Sequence, residues 1–276
     1  MKGLNFSATR GTSDAARLLT AAGPAPHRLR TILTLGLLFT ALHSESAFAG
    51  PPFITDDPEP VDYRAWEINY GATYLRAGGV SSGSLPSIDI NYGFLPGVQL
   101  HIQPQMAYVR GPGYNAAGIG DTEVGFKYRL TAATENKSEW MLAIYPMLEL
   151  PTGNSGRSLG ARSHSLFLPL WAQTTRGNWT IFGGGGYRRV QAPDARNSRA
   201  GGVTVLYQVS ERLQLGGEVF SETRTTDDGR GSSSANFGGV FNIAPRLSLL
   251  FSAGHGLRNA AVSNEGSAYL GLRTAY

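Results

Sequence analysis

From residue 65 to the C-terminus, apolar side chains recur at every second position, and this period limits the chain to strands. Trp66, Ile68, Tyr70, Ala72 and Tyr74 alternate with Glu67, Asn69, Gly71 and Thr73. Ile88, Ile90, Tyr92 and Phe94 alternate with Ser87, Asp89, Asn91 and Gly93. The same rhythm runs through 98–108 and 121–130, and with less contrast near 139–150, 164–173, 179–189, 201–209, 213–222, 235–243, 247–255 and 267–276. That makes twelve strands. Most run 9–12 residues, the length a tilted strand needs to cross a bilayer, whereas strands in soluble sheets average about 5–6.

The connections carry a second signal. Those at 95–97, 174–178, 210–212 and 244–246 are tight, with 131–138 somewhat longer. Those at 76–86, 110–120, 151–163, 190–199, 223–234 and 257–266 are longer and rich in Gly, Ser, Asn, Asp and Arg. Alternation of short and long connections is the pattern of bacterial membrane barrels, and an even strand count puts both termini on the periplasmic side. The fold class expected is all-β: a closed antiparallel transmembrane β-barrel of about 12 strands, with short periplasmic turns and longer extracellular loops. Closure satisfies every backbone N–H and C=O without water, as hydrocarbon requires. One side-chain parity then meets lipid and the other the lumen. Trp66, Tyr74, Tyr108, Trp140, Trp179, Tyr187 and Tyr207 fall near strand ends, where aromatic girdles belong.

Residues 1–49 read as a signal peptide with an extended N-region. Arg28 and Arg30 precede an apolar run over 31–42, and Ala47-Phe48-Ala49 follows as the cleavage site. The run is shorter than the ~20 residues a membrane helix needs. The leader carries a net charge of +3 of the chain's +4, so no basic surface suited to nucleic acid remains downstream. There is no Cys, so no disulfide or zinc-thiolate site is available. Residues 50–63 hold four Pro, which exclude helix and central strand. They are expected to form a periplasmic N-terminal segment or a plug in the lumen, with Asp56, Asp57, Glu59 and Asp62 as its charged contacts. Residues 64–276 make the barrel.

At the C-terminus Ala268, Leu270, Leu272 and the terminal Tyr276 alternate. An apolar strand ending in an aromatic resembles the signal that outer-membrane barrels present to their assembly machinery, so Leu270, Leu272 and Tyr276 are the candidate assembly signal. Asp121, Glu123, Lys127 and Arg129 share one parity on the fourth strand and are expected to pair across neighbouring strands in the lumen. Glu67, Asp89, Glu149, Arg188 and Glu218 are expected to face the same space, joined by His101 and Gln103. This set reads either as a selective constriction on a solute path or as a salt-bridged lumen that occludes the barrel.

A lone His among Gln99, Gln103 and Gln105 is a poor metal site, and the acidic N-terminal cluster lacks a calcium-loop spacing. No metal or other cofactor is expected. His164 and Ser165 are adjacent, with no third group to complete a hydrolytic triad, and Gly183–Gly186 lies within a strand, so it is no phosphate loop. The chain is read as not an enzyme. Loop arginines at 157, 162, 196, 199, 224, 230 and 258 are either solvated charge or contacts for lipopolysaccharide phosphates.

The stretch Gly50-Pro-Pro-Phe-Ile-Thr-Asp-Asp-Pro-Glu-Pro-Val61 is followed by Trp66-Glu67, Gly118-Ile-Gly-Asp-Thr-Glu-Val-Gly-Phe-Lys-Tyr-Arg129, Pro146-Met-Leu-Glu-Leu-Pro-Thr-Gly153 and Gly183-Gly-Gly-Gly-Tyr187. Together these resemble the outer-membrane barrel family labelled for the meta-pathway of phenol degradation, over about residues 50–276. The resemblance implies a channel or transporter for small molecules, hydrophobic or aromatic ones among them, in the outer membrane of a Gram-negative cell. It supplies no substrate. The alternative is a closed structural or adhesive barrel acting through its extracellular loops. The partners expected are outer-membrane lipid and lipopolysaccharide, the assembly machinery and a small solute, with no nucleic acid.

Overall fold

The computed structural model describes residues 51–132, 136, 139–192 and 195–276; the leader expected over 1–49 lies outside the described residues. Twelve strands follow one another in a closed antiparallel barrel. They are β1 (Trp66–Ala77), β2 (Val80–Leu95), β3 (Val98–Gln103 continued by Gln105–Gly111), β4 (Tyr114–Ile119 continued by Thr122–Arg129), β5 (Met141–Ile144 continued by Met147–Leu150), β6 (Ser165–Arg176), β7 (Trp179–Val190), β8 (Ser198–Ser210), β9 (Leu213–Glu222), β10 (Ser232–Ala244), β11 (Leu247–Arg258) and β12 (Gly266–Ala275). Each pairs with its sequence neighbours, and β1 closes the ring by pairing with both β2 and β12. At the seam Trp66 and Tyr276 exchange backbone hydrogen bonds of 2.9 and 3.1 Å.

Three strands are interrupted for chemical reasons. Pro104 and Pro146 lack the N–H that the ladder needs, and β3 and β5 break there. In β4 the register shifts by one residue: Ala107 lies opposite Gly118, but Gln103 lies opposite Glu123. The extra residue falls at Gly120-Asp121 and reverses the parity of the strand, so Ala116 and Gly118 face inward above the break and Glu123, Gly125 and Lys127 below it.

Two expected long loops are absent. The connections read over 76–86 and 110–120 reduce to two-residue turns at Gly78-Gly79 and Pro112-Gly113, because β2, β3 and β4 run well past their apolar cores. Gly78 (φ 58°) and Gly79 (φ 77°) both take the left-handed backbone that a tight hairpin requires. At that end the long connections are 151–164, 191–197, 223–231 and 259–265, and the last includes a one-turn helix, Ala260–Ser263. At the end carrying the termini, 96–97, 177–178, 211–212 and 245–246 are two residues each.

Burial is inverted relative to a soluble barrel. Trp66, Tyr70, Tyr74, Leu100, Ile102, Leu168, Leu170, Val203, Val219 and Phe237 point outward and are exposed, while Glu67, Asn69, Asp89, Asn91, Gln99, His101 and Lys127 point inward and are buried. Such an apolar exterior is stable only against lipid. Aromatic pairs mark the rim near the termini: Trp66 lies 4.4 Å from Tyr92 between ring centroids, and Trp179 lies 4.7 Å from Tyr207. At the closing seam Tyr269 covers Gly71 and Gly271, where any Cβ would collide with it.

Candidate functional site

The site is the lumen, and its two sides differ. On β1–β4 and β12 it is a polar network. The Asn69 amide donates to Glu67 Oε1 (3.2 Å) and Asp89 Oδ2 (3.0 Å), and the Asn91 amide donates to Asp89 Oδ1 (2.8 Å). Arg273 Nε donates to Asn69 Oδ1 (3.0 Å) and lies 3.5 Å from Glu67. His101 sits between two carboxylates, Nδ1 at 2.9 Å from Asp89 and Nε2 at 3.3 Å from Glu123. The Gln103 amide donates to Ser87 (2.7 Å). Period-two strands put these side chains on one face, and the antiparallel register sets them at matching heights.

On β5–β9 the inward face sets an apolar cluster among buried polar side chains such as Gln173, Thr204 and Glu218. Tyr145, Phe167 and Trp171 are buried together with Ala200, and Met147 and Phe220 pack against them. The glycine run of β7 makes room for this cluster: a Cβ at Gly184 would strike the Leu170 carbonyl and press on the Trp171 ring. Phe182 and Leu206 are also buried.

Residues 51–65 lie inside the barrel and bridge its walls. Arg273 and Ser252 donate to the carbonyls of Pro51 (3.1 Å) and Pro52 (2.6 Å). The Thr55 N–H donates to Glu218. Lys127 Nζ lies 3.0 Å from Asp56 and 3.4 Å from Asp57, and 4.8 Å from the Tyr145 ring centroid. The Val61 N–H donates to Gln99 Oε1 (2.9 Å). Gly202 and Gly93 admit the segment: a Cβ at Gly202 would meet Thr55 and Phe220, and one at Gly93 the Asp62 carbonyl. A polar pocket of about 30 Å³ lies between the segment and Glu67, Asp89, Gln99, Lys127 and Tyr145. It has room for a water or two and no organic solute. Asp57 is fully buried, and burial pushes its carboxyl well above the usual carboxylate range against the pull of Lys127.

The residues expected in the lumen divide by role. Glu67, Asp89, His101, Gln103, Glu123 and Lys127 meet in the polar network. Glu149 faces Glu123 across the sheet and accepts from Ser165 (2.9 Å). Glu218 holds Asn236 (2.6 Å) as well as Thr55. Arg188 lies apart, 3.5 Å from Glu222 and over the Phe167 ring. Arg129 sits at the rim beside Gly97. Asp121 departs from the expected ladder. Its carboxylate accepts from the N–H groups of Gly153 (2.9 Å) and Ala161 (2.5 Å), pinning loop 151–164, whose Leu159 packs on Val109 and Ala116. In the N-terminal segment Asp56 and Asp57 face Lys127, the Asp57 carboxylate accepts from the Glu59 N–H (2.6 Å), and Asp62 is exposed. Leu270, Leu272 and Tyr276 project outward, exposed. The sequence reading missed Arg273, Asn69 and Gln99, which share the inward parity of their strands, and the lumenal aromatics, whose apolar character suggested no inward placement.

A closed barrel that is apolar outside and hydrogen-bonded within is an outer-membrane β-barrel. The chain belongs to the family described as "Putative MetA-pathway of phenol degradation", whose model matches residues 58–273. It is similar in fold to an outer-membrane channel from Pseudomonas putida F1 at 14% identity and TM-score 0.64, covering 82% of this chain and 99% of that one. It is also similar to the NanC porin (8% identity, TM-score 0.53, 75% and 98% covered) and to the KdgM porin, solved with disordered oligogalacturonate (11% identity, TM-score 0.53, 76% and 99% covered). No curated protein matches the sequence.

Proposed function

We propose that the protein is a gated, non-enzymatic channel for small hydrophobic or aromatic molecules, closed at rest by residues 51–65. The observation that carries this reading is the Tyr145–Phe167–Trp171 cluster on one lumenal wall, whose Tyr145 lines the same small pocket as residues of the N-terminal segment. A purely structural barrel has no need of buried aromatics beside a detachable segment, and a path for hydrophilic solutes would not desolvate them. The cations at either edge, Lys127 over Tyr145 and Arg188 over Phe167, favour solutes with an aromatic face or a phenolic oxygen.

The test is current through planar bilayers holding the purified protein without its leader, with and without phenols. The expected result is a small resting conductance, a larger one after residues 51–62 are deleted, and reduction of that larger current by phenols. A barrel that stays silent after the deletion supports the structural or adhesive reading instead.

A further inference from the structure

We propose that the outward face of β6–β8, at the end opposite the termini, binds a lipid A phosphate of lipopolysaccharide through Arg189 and Arg199. The alternation of β7 separates two consecutive arginines. Arg188 turns inward to Glu222, whereas Arg189 turns outward and is exposed. Arg199 of β8 also points outward, directly opposite Tyr187. Arg189 is therefore the diagonal neighbour of Arg199, with Cα atoms about 7–8 Å apart, within the reach of two guanidinium groups closing on one anion.

Charge complementarity is what identifies the occupant. Inward cations are matched: Lys127 by Asp56 and Asp57, Arg188 by Glu222, Arg273 by Glu67. The outward Arg76 is matched by Glu265 at 3.0 Å. Arg189 and Arg199 have no carboxylate partner among the described residues, and the one nearby glutamate, Glu222, faces the lumen. Directly below them the wall is lipid-facing, with Leu168, Leu170 and Val203 exposed. An arginine pair just above an acyl-contacting band, beside an aromatic, stands at headgroup height. Guanidinium binds phosphate bidentately and is more weakly hydrated than ammonium, so it suits this partly desolvated position. By strand count this end is the cell-surface end, where the headgroup is lipid A.

The experiment titrates the full mature protein in detergent with purified lipid A, with dephosphorylated lipid A and with phosphatidylglycerol, reading bound lipid by native mass spectrometry. Expected are lipid A adducts on the wild type, and affinity about tenfold lower for the R189Q/R199Q double variant, as for dephosphorylated lipid A on the wild type. The R189K/R199K variant, which keeps the charge, serves if the glutamine variant does not fold and should fall between them. Equal binding of phosphorylated and dephosphorylated lipid A overturns the proposal, as does equal binding by wild type and glutamine variant. Equal affinity for phosphatidylglycerol overturns the assignment to lipid A.

Discussion

The Lys127 ammonium lies 3.0 Å from the Asp56 carboxylate, and this contact ties the wall of the barrel to the segment that fills it. Lys127 is itself buried, 3% exposed at its side chain. Removing either partner would therefore strand the other charge away from water.

Lys127→Met should release the segment. It leaves Asp56 and Asp57 without their cation, and breaking a buried pair costs about 3–5 kcal/mol. Bilayer current should rise, and protease should cut within residues 51–65 faster than in the wild type. Unchanged current and unchanged cleavage would show that the segment is held by its backbone contacts alone.

Asp57→Asn should have the opposite effect and flatten the response to pH. The docked carboxyl holds its proton to higher pH than a free one, so docking takes up a proton. Docking is then strongest in acid and weakens as pH rises through the raised value. The groups acting on Asp57 are Lys127, Asp56 and Glu59. Wild-type current should increase as pH rises through that raised value, and the asparagine variant should stay quiet throughout. An equal slope in both would assign the pH response to another group.

Gly202→Val should expel Thr55 from the wall, since even a Cβ there collides with Thr55 and Phe220. The Val219 carbonyl of β9 must shift as well, so barrel folding is checked alongside conductance. The readout is heat-modifiable mobility on gels together with conductance: a folded barrel with raised current is expected, and a folded barrel with wild-type current would sink the idea.

Asp121→Ala should free loop 151–164. Two loop N–H groups lose their acceptor, at about 1–3 kcal/mol each if they stay buried. Cleavage at Arg157 or Arg162 by trypsin should accelerate at least several-fold, with the melting of the barrel strands little changed. Equal cleavage rates would mean that Leu159, packed on Val109 and Ala116, holds the loop alone.

The strands were legible because lipid and lumen impose opposite polarities on alternate residues, as in Glu67 and Asn69 against Ile68 and Tyr70. By that parity His101, Glu123 and Lys127 share the inward face, where His101 lies between Asp89 and Glu123 and Lys127 meets Asp56. It failed where the chain breaks its own period. The extra residue at Gly120-Asp121 reverses β4, so one phase cannot describe the whole strand. It also failed at the hairpins, where Ser81, Ser82 and Ser84 hide a strand that backbone bonds alone define. Phe167 and Trp171 were hard to assign because an apolar residue within an apolar strand carries no sign of its side. The pairing of Lys127 with Asp56 joins residues 71 apart, which local spacing does not encode.

The hydrogen bonds at the start of the N-terminal segment have a temporal consequence. Pro51 and Pro52 leave the ribosome early, yet the groups that grip them, Ser252 and Arg273, lie on the last two strands. The grip on Pro51 and Pro52 forms only once the last two strands are in place. On the proposed reading, each barrel is closed by the same event that completes it, and a cell building many of them is spared a population of freshly made leaks.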